Sequence, residues 1–121
     1  MTIYQRQIVE VEFRLPPDGT LLRHPCIVLS NTAVNDEEQG FVGVMLTSQM
    51  HYQDDIYSFE IDEEMLTKPH GKAFCAARIH IISNFLYDDI IRNSNWGNEM
   101  KTFHFHRLLH AINRTTFRFA I

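Results

Sequence analysis

Hydrophobic and polar positions alternate from the start of the chain. In "QIVEVEF" (7–13), Val9, Val11 and Phe13 fall on one side and Ile8, Glu10 and Glu12 on the other, the period-two pattern of a half-buried strand. "RLPPDGTLLRH" (14–24) interrupts it with Pro16-Pro17-Asp18-Gly19. Proline fixes φ and glycine accepts left-handed backbone, so this stretch is expected to be a loop, mobile or functional. "PCIVLSN" (25–31) reads as a second strand, opened by a proline where a strand tolerates one best and closed by Ser-Asn. A polar, acidic connection (32–40) leads to a third strand, "FVGVMLTS" (41–48), and "DIYSFEI" (55–61) alternates again. Residues 62–71 read as a single helical turn stopped by Pro69 and Gly71, and "KAFCAARIHIIS" (72–83) as a strand pair or one bent strand. The period changes only in 101–117, where Phe105, Leu108, Leu109 and Ile112 fall at helical spacing behind Thr102 as N-cap. The expectation is a mainly β fold, a small barrel or sandwich, with one C-terminal α-helix packed on it. Residues 84–101, including Trp96, carry no pattern that assigns them a role.

A chain of 121 residues suits one domain (1–121), and 45% hydrophobic content can fill its core. No run approaches the roughly 18 apolar residues of a membrane span. The N-terminal segment lacks the basic-then-apolar layout of a signal peptide, so a cytoplasmic location and no membrane contact are expected. Cys26 and Cys75 sit in apolar segments without metal-type spacing and read as buried, reduced thiols. His106 and His110 stand at i, i+4 on the last helix, but no carboxylate lies in the same turn, and no phosphate loop, nucleophile elbow or dinucleotide glycines occur. No metal and no cofactor are expected.

Charge changes the picture along the chain. A net charge of −4 argues against bulk attraction to nucleic acid. Yet residues 100–121 hold Lys101, Arg107, Arg114 and Arg118 with no acid, which makes the C-terminal face either a surface for an acidic partner or a solvated basic helix.

The order of the segments 7–9 (Gln7-Ile8-Val9), 24–30 (His24-Pro25-Cys26-Ile27-Val28-Leu29-Ser30) and 46–48 (Leu46-Thr47-Ser48) resembles the MazF/PemK family of toxin endoribonucleases. The resemblance covers nearly the whole chain and is clearest over 7–83. It implies an SH3-like small β-barrel with a C-terminal α-helix, usually a homodimer. Such a toxin of a type II toxin–antitoxin system cuts single-stranded RNA without a metal and is silenced by a cognate acidic antitoxin. The family's catalytic threonine matches Thr47. Its arginine before the proline does not carry over, because His24 stands there and Arg23 one residue earlier. Gln7 in place of the opening glycine, the acidic Glu10 and Glu12, and the long 84–101 segment are further departures.

Cleavage through the 2′-OH needs a base, an acid for the departing 5′-oxygen, and donors for charge building on the phosphate. Imidazole exchanges protons near neutral pH, whereas guanidinium stays protonated and better clamps phosphate. His24 is therefore expected as general acid or base, Thr47 as hydroxyl donor to the phosphate, and Arg23 or Arg78 as the positive charge. If 23–24 is regular strand, successive side chains point to opposite faces and only one of the two is catalytic. Ser48, Gln49 and His51 follow Thr47 and are candidate RNA contacts by adjacency. Arg78 either faces phosphate or pairs with an acid. Tyr52 and Tyr57 are candidates for stacking on bases, although alternation with Phe59 favours the core for Tyr57. Without the family pattern, His24 is a strand-edge residue and Thr47 bonds its own backbone. The rivals are a non-catalytic, CcdB-like gyrase-binding toxin and an inactive barrel that binds RNA or peptide.

Overall fold

β1 (Ile8–Leu15) and β2 (Thr20–Val28) form an antiparallel hairpin in continuous register, from Ile8 opposite Ile27 out to Leu15 opposite Thr20. The computed structural model describes residues 1–15, 18–92 and 96–118, so Pro16 and Pro17 of the expected turn lie outside the described residues. The expected 14–24 loop is thus two strand ends. Asp18 turns the chain by accepting a hydrogen bond from the Thr20 N–H at 2.9 Å, and Gly19 adopts φ +75°. The turn residues reverse the chain at the tip without breaking the strands on either side.

The connection after β2 is also shorter in loop than expected. Asn31 caps α1 (Thr32–Glu38) by accepting from the Ala33 N–H at 2.8 Å. The fully buried Asn35 donates to the carbonyls of Ile3 and Ser30, pinning α1 to the N-terminal segment. β3 (Gly40–Thr47), the short β4 (Ser58–Glu60) and β5 (Ala76–Leu86) follow. A single 3₁₀ turn at Glu63–Met65 matches the expected helical turn.

β5 is one bent strand. Opposite β3, Val44 pairs with Ile82 but Leu46 with Ala77, so the residues between break the register and re-aim its first half toward β4. β6 (Ile90–Ile91) pairs with β1, and bridges join Gln7 to Glu99 and Leu66 to Met100. Much of the unassigned 84–101 segment therefore seals the free edge of β1. The sheet runs β4-β5-β3-β2-β1-β6 and is not closed into a ring among the described residues.

Both faces of the sheet are covered. Ile8, Ile27, Val44, Leu46 and Ile79 pack under α2 (Thr102–Ala111) against Phe105, Leu108 and Ile112, whereas Val9, Val11, Cys26, Val28 and Met45 form a second cluster with Ile3, Phe41 and Phe85. The mainly β expectation with a packed C-terminal helix is borne out. Lys101, not Thr102, occupies the N-cap of α2, and no side chain caps it. A π-helical turn (Ile112–Thr116) extends the helix, and the Thr116 hydroxyl ties it to the Ile79 carbonyl. Both cysteines are free and buried. No helix among the described residues is long and apolar enough to cross a membrane.

Candidate active site

The site arises where β2 and β3 part. The Val28 N–H donates to Gln7 and the Leu29 N–H to Val42, so alternate amides of β2 face β1 and β3. On that alternation Ile27 and Pro25 face β3, and Pro25 has no N–H to give. The β2–β3 pairing accordingly ends at Cys26 opposite Met45, one residue short of the bond that Leu46 would accept. Released from each other, the two strand ends border an open cleft of about 450 Å³ whose wall includes Arg23, His24, Thr47, Ser48 and Gln49.

Arg23 and His24 lie in regular strand, opposite Glu12 and Val11. They therefore leave the sheet on opposite faces. Arg23 shares the side of Glu12, with its Nε 3.7 Å from the carboxylate in an exposed pair. His24 shares the side of Cys26, and the β2–β3 register continued past its last pair sets it opposite Thr47. Of the two, His24 and not Arg23 leaves on the face that the continued register gives Thr47.

Thr47 is buried, and its Oγ1 accepts from the Gln49 N–H at 3.2 Å. The backbone contact expected of a structural threonine is thus present, but it uses a lone pair and leaves the hydroxyl proton for donation. Ser48 and Gln49 are exposed at the rim.

Arg78 and His51 are not among the residues of this cleft. Arg78 is buried: its Nη1 donates to the Ser58 hydroxyl at 2.7 Å and lies 3.1 Å from Asp55, while the guanidinium sits 4.1 Å from the centre of the Tyr52 ring. Its place opposite Ser58 on β4 turns it toward the 48–57 loop, which it holds through Asp55, Ser58 and Tyr52. The Asp55 carboxyl is held below the usual range, first by the Tyr57 N–H and then by Arg78. His51 is exposed and packs on Tyr52 at 4.0 Å between ring centres. Tyr57, expected in the core, is 38% exposed and stacks on His80.

Sequence reasoning missed several cleft residues. Glu10 reaches it from β1 and brings a carboxylate, and Lys72 brings a cation. His70 is fixed by two bonds: one ring nitrogen meets the Ile61 carbonyl at 3.0 Å and the other accepts from the Lys72 N–H at 2.9 Å. That second bond sets the tautomer, so the 3.8 Å approach of Glu63 to the same nitrogen is secondary. Asn98 is buried beneath the cleft and clamps Lys68 through both its N–H and its carbonyl. Cys75 also lines the cleft, but burial pushes its thiol up to about 11 despite Lys72 nearby, which leaves it protonated and unsuited to attack at neutral pH. Glu10 falls in an alternating strand and His70 follows a proline, and neither context marks chemistry. No group of three or more His, Cys, Asp or Glu side chains among the described residues is placed to hold a metal ion.

A small antiparallel β-sheet with a C-terminal helix on one face and a polar cleft at a split strand pair defines the class of fold. No family model and no characterised protein matches the chain in sequence. Solved structures do match in shape. An endoribonuclease from a mycobacterial species aligns at TM-score 0.69 with 13% identity, over 94% of this chain and 90% of that one. A mycobacterial endoribonuclease in complex with its cognate antitoxin aligns at 0.68 with 13% identity, over 98% and 99%. MazF of Deinococcus radiodurans aligns at 0.68 with 11% identity, also over 98% and 99%. The chain therefore has the fold of the MazF endoribonucleases, as its strand order and segment spacing implied.

Proposed function

We propose that this chain is the toxin of a type II toxin–antitoxin system, a metal-independent endoribonuclease that cuts single-stranded RNA. One observation carries the reading: within a MazF-like fold, the gap opened by Pro25 borders both His24 and Thr47. The 2′-oxygen attacks phosphorus as a base removes its proton, and the bond to the 5′-oxygen breaks as that oxygen takes up a proton. The products are a 2′,3′-cyclic phosphate and a 5′-hydroxyl. His24 exchanges protons in this sequence. Thr47 donates its hydroxyl to a non-bridging phosphate oxygen, and Lys72, a cation of the cleft wall, supplies positive charge. Ser48 and Gln49 contact the RNA at the rim.

The chain acts as a single domain, as a cytoplasmic homodimer, and is silenced by a cognate acidic antitoxin. The solved complex of a similar endoribonuclease with its antitoxin supports that partner. The test is incubation of purified protein with diverse single-stranded RNAs in excess EDTA, with the cut ends mapped. Cyclic-phosphate ends made by wild type and lost in Thr47→Ala and His24→Ala are expected. No cutting by wild type would move the assignment to a binding protein built on the same fold.

A further inference from the structure

We propose that the outer face of α2 is a second binding surface for single-stranded RNA, separate from the cleft and resting on the ribonuclease reading for the identity of its polyanion. Phe103, Arg107, His110 and Arg114 recur at three- and four-residue spacing and form one stripe along the helix and its π-helical extension. With Phe59 of β4 and His106 they line an open groove of about 590 Å³ that contains no carboxylate.

The arginines of this stripe differ from those elsewhere. Arg6, Arg23 and Arg78 each lie within ion-pair distance of a carboxylate, and Arg92 covers the Trp96 ring. Among the described residues Arg107 and Arg114 form no ion pair. Arg107 instead stands 5.6 Å from the centre of the Phe59 ring, with its Nη1 3.4 Å from the His104 Nδ1. A chain of net charge −4 thus keeps two guanidiniums on one helix face, in a segment (100–121) without any acid. Seven residues of helix separate them by about 10 Å along the axis, a span that two phosphates of an extended strand can bridge. Phe103 is 70% exposed beside them, a large ring left in water. Paired cations beside an exposed aromatic ring are what single-stranded nucleic acid binds, through phosphate attraction and base stacking. A purely acidic peptide would use the cations and leave the rings idle.

The experiment measures fluorescence anisotropy of a labelled single-stranded oligodeoxynucleotide, which lacks the 2′-OH and stays uncut, across a salt series. Wild type is compared with the double variant Arg107→Ala/Arg114→Ala and with Phe103→Ala. All three residues lie on the outer face of the helix rather than in the core, so folding is retained, and circular dichroism checks it. Removing two phosphate contacts should make the slope of log affinity against log salt shallower by about 1.4 and weaken binding about 25-fold near 0.1 M salt. Phe103→Ala should weaken it roughly tenfold through lost stacking. Unchanged affinity and slope in the double variant would overturn the proposal. So would a loss of self-association in sedimentation with oligonucleotide binding intact, which would give the groove to a second copy of the chain. If wild type cuts no RNA yet the slope still changes as stated, the catalytic reading of the cleft fails and the α2 surface stands.

Discussion

Pro25→Ala tests the origin of the cleft. The substitution gives β2 an amide where the amides facing β3 include that of Leu29, which donates to Val42. In the continued register the Leu46 carbonyl receives it, and the strands zip past their present end at Cys26 and Met45. One added amide–carbonyl bond contributes about 1 kcal/mol. Losing the proline restriction on the unfolded chain costs about 0.4–1 kcal/mol. The two nearly cancel, so Tm should move by less than about 4 °C. Activity should not be spared, because closing the gap displaces His24 relative to Thr47, and a misplacement of about 1 Å costs on the order of a hundredfold in rate. The assay pairs thermal unfolding with RNA cleavage and with hydrogen exchange of the amide that the variant gains. Slow exchange of that new amide together with wild-type cleavage would refute the reasoning, since the ladder would have formed without harm to the site. Rapid exchange would show that something other than proline parts the strands.

His24→Ala is predicted to lower kcat by about 10²–10⁴-fold with a smaller change in KM, as expected for loss of a proton carrier; steady-state cleavage of a defined RNA decides it, and an unchanged kcat removes His24 from catalysis. Thr47→Ser should keep most activity and Thr47→Ala should lose it, because in the proposed reaction the hydroxyl and not the methyl meets the phosphate; equal rates for the two variants would contradict that role. The lowered pKa of Asp55 means that its contribution to stability is present above pH about 4 and is lost as pH falls through the depressed folded value. Asp55→Asn should therefore flatten the acid side of a Tm-against-pH curve, and an unaltered curve would show that the Tyr57 N–H bond and the Arg78 contact to this carboxylate carry no charge-dependent stability. Leu108→Ala, at a fully buried position under the sheet, should cost about 2–5 kcal/mol in chemical denaturation, whereas a loss below about 1 kcal/mol would show that α2 is loosely docked.

The legible parts of the fold are those with a strong local period. Alternation marks β1, an unbroken apolar run marks β3, and the helical spacing of Phe105, Leu108 and Ile112 marks α2. Pro-Pro-Asp-Gly misleads over its flanks, because a turn signal says that the chain reverses and not how far the strands run on either side of it. Residues 32–38 are acidic and short, and their helix depends on the Asn31 cap and on burial of Asn35, neither of which leaves an apolar period. Within the cleft, the nearness of the His24 and Thr47 segments is legible through segment order. The cleft roles of Glu10, His70, Lys72 and Asn98 depend on pairings between β1, the 62–75 segment and the bridges at Glu99 and Met100, contacts that no local pattern encodes. Arg78 is ambiguous in sequence because flanking small residues fit both an open surface and a packed one. Its register opposite Ser58 resolves it.

The exchange of arginine for histidine before Pro25 is intelligible in terms of what surrounds it. A single arginine in that place would have to bind phosphate and also take part in proton transfer, although guanidinium holds its proton tightly in water. In the proposed reaction the cleft divides the work. Lys72 and Arg23 stand at its wall as cations, while His24 brings an imidazole whose Nδ1 is buried. Arg23 remains available because its pair with Glu12 is long, at 3.7 Å, and both partners are well exposed. Exposed pairs of this kind are worth only about 0–1 kcal/mol, so a phosphate can draw the guanidinium away at little cost. Arg78 is held differently, by a carboxylate, a hydroxyl and an aromatic ring at once, and could reach a ligand only by dismantling the loop that follows Thr47. The two arginines are thus separated by the strength of their partners: Arg23 is loosely held in an exposed pair, whereas Arg78 is fixed in the scaffold of the loop.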